Sequence, residues 1–214
     1  MHRRRRTALL LSAAIAAAPV LTACGNDAHP GAAAVVGDQR ITVSQLENRV
    51  NEVREAQRAA VPDETQYAQA VAQSGSLTRD TLHGMVLDRV LHQAAQDAGV
   101  TVSRKEIQSM RGGLEQQAGG AKALETVWLQ EYGVPPQRLE DNLRLQLEAQ
   151  KLAAKLGTDT SRPEFWQALS NASKKLDVDL NPRYGTWDVQ KSSRVDAETP
   201  WVREVTAAGQ PKTA

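Results

Sequence analysis

Few side chains in this 214-residue chain combine a reactive type with a spacing that could carry chemistry. His83 and His92 lie nine residues apart, about 180° round a helix, so they cannot form the i, i+4 pair of a helical metal site. His2 lies in the basic amino-terminal segment expected to be removed, and His29 lies in a small, polar spacer. The neighbouring acids Glu140-Asp141 and Asp177/Asp179 could be imagined as acid–base pairs, but each falls in a pattern expected of a solvated face. There is no Gly-x-Ser-x-Gly elbow. The glycine pairs Gly112-Gly113 and Gly119-Gly120 lack the lysine and the strand–turn–helix context of a phosphate loop. They read as helix breaks or, alternatively, as a hinge. The expectation is a protein without catalysis, cofactor or metal, whose chemistry is binding.

One residue stands apart. Arg3 to Arg6 precede an apolar and small-residue stretch from Thr7 to Leu21, and Leu21-Thr22-Ala23 leads directly to Cys24, the only cysteine. This is an n-region followed by an h-region. At about 15 residues the stretch is shorter than the ~20 needed to span a bilayer. Leu21-Thr22-Ala23-Cys24 resembles a lipobox, in which the thiol is acylated and the chain is cut before it. Residues 1–23 are therefore expected to be an export signal and Cys24 the lipidated residue, with the body held on the extracytoplasmic face of the cell membrane. The paired arginines raise twin-arginine export, but Arg5-Arg6-Thr7-Ala8-Leu9 fits that motif poorly, so general secretion is expected.

Cleavage would change the charge. Four of the 26 basic residues lie in the leader, which leaves 22 against 25 acidic ones, or about −3. No concentrated excess of Lys and Arg remains for nucleic acid. Acylation would also use the only thiol, leaving none for a disulfide.

The elements that must position any binding residues follow from the apolar periodicity. Residues 25–33 are small, polar and Pro/Gly-containing and read, with Cys24, as a lipidated spacer over 24–33. The body spans 34–188, and 189–214 reads as a polar, disordered tail. Ala34 to Ile41 suggests a short strand and a Gly37-Asp38 turn. Thr42 then caps a helix, with Gln45 returning the bond and Leu46, Val50 and Val53 on one face. Ser103 and Glu106 repeat the device. From Leu77 to Ala98 apolar residues surround most of the circumference, so that helix is expected to be central. Ala121 to Tyr132 forms another, closed by Gly133. Pro135-Pro136 opens what reads as the longest helix, to Leu156, with Leu139, Leu143 and Leu147 on one side and Leu145, Ala149, Leu152 and Leu156 roughly opposite. It is sandwiched, or it borders a groove. After a short helix from Pro163, Leu176 to Leu180 alternates like a strand, and the economical partner for it is the first strand.

The order of these segments carries a resemblance. Ile41-Thr42-Val43-Ser44-Gln45-Leu46, then Trp128-Leu129-Gln130-Glu131-Tyr132-Gly133-Val134 before a Leu-rich helix, and finally Asn181-Pro182-Arg183-Tyr184-Gly185-Thr186-Trp187-Asp188, resemble the amino-terminal domain of SurA-type and PrsA-type extracytoplasmic chaperones. The closing segment is similar to the one that returns to the first strand in SurA-like actinobacterial lipoproteins, so the resemblance covers nearly all of 34–188. Foldase members insert a parvulin domain between the long helix and the closing segment. Here only Gly157 to Arg162 separates them, so prolyl-isomerase activity is not carried over.

The resemblance implies a mainly α fold, a SurA/trigger-factor-like helical peptide-binding domain with a small two-stranded sheet joining its start and end. It also implies a lipid-anchored holdase for unfolded or partly folded exported polypeptides. The alternative is an envelope scaffold holding one specific protein partner. Met85, Met110, Trp128, Tyr132, Leu143 and Leu147 are the candidate peptide-binding residues, because Met adapts to varied partners and Trp and Tyr give large amphipathic contacts. For each of them ordinary core packing is the competing role.

Overall fold

The computed structural model describes residues 30–196 apart from 62 and 74, so the leader, Cys24 and residues 197–214 lie outside the described residues. Strand β1 (Ala32–Val36) turns at Gly37-Asp38 and returns antiparallel as β2 (Gln39–Thr42), pairing Val36 with Gln39. Gly37 takes φ +63°, which a two-residue hairpin turn requires and glycine adopts without strain. The expected joining of start and end is present. Strand β3 (Asp179–Leu180) pairs antiparallel with the free side of β1, Ala34 opposite Leu180. The sheet nevertheless has three strands, in the order β2-β1-β3, because the Gly37 turn folds β2 back onto β1.

Helix α1 (Val43–Ala60) starts with the expected capping box. The Gln45 N–H donates to Thr42 Oγ1 at 3.0 Å and the Thr42 N–H to Gln45 Oε1 at 2.9 Å. Its buried residues are Leu46, Val50 and Val53. Helix α2 (Glu64–Gln73) has no counterpart in the periodicity analysis. Helix α3 (Leu77–Asp97) is the longest among the described residues, at 21 residues, and packs against α1, β1 and two later helices.

Helix α4 (Arg104–Ala118) repeats the capping box at Ser103 and Glu106 and runs straight through Gly112-Gly113. That corrects their reading as a break. Two interior glycines cost about 1 kcal/mol each relative to alanine. The cap, the Arg111–Glu115 pair at 2.7 Å and the packing of Ile107, Met110 and Leu114 hold the helix against that cost. The real break is Gly119, left-handed at φ +89°, whose N–H is bonded to Glu115 O.

Helix α5 (Ala121–Tyr132) ends at left-handed Gly133. A 3-10 turn at Pro136–Arg138 leads into α6 (Leu139–Lys155), 17 residues and so shorter than α3. Helix α7 (Pro163–Leu176) returns the chain to β3. A hairpin of β4 (Thr186–Asp188) and β5 (Ser193–Val195) follows, so the chain keeps regular structure beyond residue 188, where a loose tail was expected to begin.

Two cores result. The larger gathers Leu82, Val86 and Val90 of α3 with Ile41, Leu46 and Leu169. The smaller gathers Leu124, Trp128, Leu139 and Leu143. Helix α6 serves both, since Leu139 and Leu143 fill the second core while Leu152 and Ala153 lie in the first. It is thus packed on both sides, but Leu145 and Ala149 border concavities and Leu156 is exposed, so both expected readings, a sandwiched helix and one bordering a groove, apply to different parts of it.

Candidate functional site

Helices α3 and α6 together line two concavities that differ in their third wall. The first is a trough formed by a cavity of about 280 Å³ and one of about 400 Å³, which share Arg49, Met85, Asp88, Asp141 and Leu145. Its floor is the α3 face carrying Thr81, Gly84, Met85 and Asp88, with α1 and the turn after α5 as walls. Arg138 ties α1 to the start of α6. Its Nε and Nη2 donate to Glu52 at 2.8 and 2.6 Å, and Nη1 reaches Asp141 at 3.5 Å. The Arg138 hydrogen bonds hold the Glu52 carboxyl below the usual carboxylate range.

Asp88 is the anomaly of this trough. Burial pushes its carboxyl up to about 6, even though Arg49, Arg144 and Arg89 pull the other way. Among the described residues no hydrogen bond or ion pair within 4 Å reaches it. A desolvated carboxylate without a hydrogen-bonding partner disfavours its charged form.

The second concavity is an apolar dish of about 400 Å³. Leu87 and Leu91 of α3, Ala149 of α6 and Phe165 and Leu169 of α7 line it. Gln146, Gln150 and Thr160 add uncharged polar groups. Helix α7 turns Phe165, Leu169 and Ala172 inward at i, i+4 and i+7. Trp166, one residue from that stripe, is left at the edge, 40% exposed and edge-on to Phe165 with centroids 5.8 Å apart. No charged side chain lines this dish.

The candidate residues from the sequence separate. Met85 and Tyr132 line the trough, and Tyr132 is 60% exposed while resting on Trp128 at 5.4 Å. Leu143 is fully buried and Trp128 nearly so, with its indole N–H bonded to Asn142 Oδ1 at 3.0 Å. Both are corrected to core residues, because α4 and α5 close over that face of α6. Met110 packs half-buried against the same cluster. Leu147 is half-buried and lines neither concavity.

Sequence reasoning missed the dish altogether. The signal available was Phe165-Trp166, two adjacent aromatics of which one helix face can bury only one. It also passed over Asp88-Arg89, two charges inside a helix whose apolar residues surround most of its circumference.

The two remaining histidines have separate roles. His83 Nδ1 accepts the Arg194 N–H at 3.2 Å, and burial lowers its basicity. His92 Nδ1 pairs with the buried Glu148 at 2.9 Å. Among the described residues no group of three His, Cys, Asp or Glu is placed to hold a metal, and no helix is long and apolar enough to cross a membrane.

A family model, SurA-like N-terminal domain, matches residues 2–153. No curated protein and no solved structure gives a match. The matched segment contains α1 to most of α6, and hence all of the trough's lining but Leu176, whereas the α7 wall of the dish lies beyond it. With its match running over more than half of the chain and its helical architecture in agreement, this protein belongs to the SurA-like N-terminal domain family, a chaperone-type family.

Proposed function

We propose that the protein is a holdase that captures unfolded or partly folded exported polypeptides, held by a lipid on Cys24 at the outer face of the cytoplasmic membrane. The observation that carries this reading is the dish, an uncharged concavity sized for apolar side chains with Trp166 half-exposed at its edge. Burying one apolar side chain yields about 1.5–3 kcal/mol. A millimolar complex already needs about 4 kcal/mol. A single occupied dish therefore binds weakly and releases readily, as a holdase must, and several apolar side chains of one client raise the residence time. The dish-lining groups include no acid, base or thiol, which supports binding as its role.

The expected test result is that the purified chain suppresses aggregation of several unrelated, chemically unfolded proteins at near-stoichiometric ratio without nucleotide. Failure with all of them would refute the holdase. One client held stoichiometrically, with others ignored, would instead support an envelope scaffold.

A further inference from the structure

The trough is built unlike the dish, and the difference identifies a second kind of ligand group. Four arginines line it, Arg49, Arg89, Arg138 and Arg144, and so do four aspartates, Asp38, Asp80, Asp88 and Asp141. Two of those arginines also carry a glutamate, Arg138 on Glu52 and Arg144 on Glu148 at 3.5 Å. The lining itself is balanced in charge, and what separates its two signs is how far each is already held by the protein.

Its cations are engaged by the protein itself. Arg49 lies 3.4 Å from Glu52, and Arg89 donates to Gln39 Oε1 at 3.1 Å and to Met85 O at 3.0 Å. Among the described residues the side chains of Asp38, Asp80 and Asp88, by contrast, make no hydrogen bond or ion pair within 4 Å, and Asp88 is the one where the two cavities meet. Arg49 from α1, Arg89 and His92 from α3, Asp141 and Arg144 from α6 and Asp38 from the β1–β2 turn line the trough around it.

One turn before Asp88 lies Gly84. A Cβ built there would meet nothing within 4 Å, and no left-handed backbone requires glycine. Glycine inside a helix costs about 1 kcal/mol relative to alanine. Without a side chain there, the trough floor beside Asp88 is left open to close approach by a ligand backbone. Asp80, Gly84 and Asp88 fall on one line of α3, the two carboxylates about 12 Å apart along the axis.

We propose that the trough binds a basic stretch of extended polypeptide, its backbone crossing Gly84 and a lysine or arginine side chain reaching Asp88. A second basic residue four positions away, about 13 Å along an extended chain, falls beside Asp80. This rests on reading the domain as a polypeptide binder. It adds charge selection at a site separate from the apolar dish.

The test uses the full chain and labelled Gly/Ser peptides of about 12 residues, one with two lysines four apart and one with glutamines in their place, read by fluorescence anisotropy near neutral pH. The lysine peptide is expected to bind at least about tenfold tighter, a difference of about 1.4 kcal/mol. Asp88→Asn is expected to abolish the preference. Gly84→Met, which replaces glycine by a good helix former and fills the floor, is expected to weaken the lysine peptide at least tenfold while the fold is kept. Equal affinity for the two peptides, or a preference that survives both substitutions, would overturn the inference. So would spermidine competing as strongly as the peptide, since the site would then recognise a free polyamine. If aggregation of unfolded proteins is suppressed while the peptides are not distinguished, the trough inference fails and the holdase reading stands.

Discussion

The trough and the dish share α3 and α6 and yet have opposite character, and the cause is the third wall. Where α1 closes the space, Arg138 and Glu52 join the helices through charge, and the lining inherits arginines and aspartates. Where α7 closes it, Phe165 and Leu169 make the junction by packing, and the lining carries no charge. One pair of helices thus offers a client an ionic surface and an apolar one. Each can be altered without the other, which makes the comparison testable.

The largest effect is expected where the two regions depend on the same residue. Leu152 of α6 is fully buried in the main core, and Leu152→Ala should cost about 3 kcal/mol. Denaturant unfolding would measure the loss, and both concavities should weaken together. A loss confined to one would show that α6 does not couple them.

Asp88→Asn should separate them, and its sign is opposite. The folded carboxyl is raised from 3.8 to about 6, so the folded state holds a proton that the unfolded state has released between those pH values. Stability therefore falls as pH rises from about 4 to about 6 and stays lowered above that. The shift corresponds to at most about 3 kcal/mol, and with part of the group still reached by solvent about 1–2 is expected. The asparagine variant should be more stable by that amount near neutral pH and no more stable below pH 4, as chemical denaturation at several pH values would show. Capture of apolar clients should not change. A variant less stable at neutral pH would mean that Asp88 has a structural partner.

Arg138→Ala should cost about 1 kcal/mol, since it removes a paired hydrogen bond to a half-exposed carboxylate. The loss should shrink in high salt, a response the dish lacks. Trp166→Ala should move stability least, within about 0.5 kcal/mol at an exposed position, while weakening client capture most.

The parts of this fold legible in the sequence are those governed by neighbours. Thr42 with Gln45 and Ser103 with Glu106 fix two helix starts from four residues each. Gly119 and Gly133 mark ends because a left-handed residue is required there. Gly112-Gly113 misled because local propensity was outweighed by the packing of Ile107, Met110 and Leu114 on the second core. The periodicity of α6 showed two leucine faces, but that α4 and α5 cover Leu143 is a long-range fact. The same holds for the dish. Amphipathy shows that α7 buries Phe165, but only the meeting of α3, α6 and α7 leaves a hollow beside Trp166.

The most direct test of the central claim places a photo-crosslinking amino acid at Trp166 and, separately, at Trp128, then illuminates each full-length variant with chemically unfolded proteins of unrelated sequence. Trp166 borders the dish and Trp128 is buried in the second core. Crosslinks to every unfolded protein are expected from position 166, none to their folded forms, and little from position 128. No crosslinks from 166, or equal yields from the two positions, would contradict that claim.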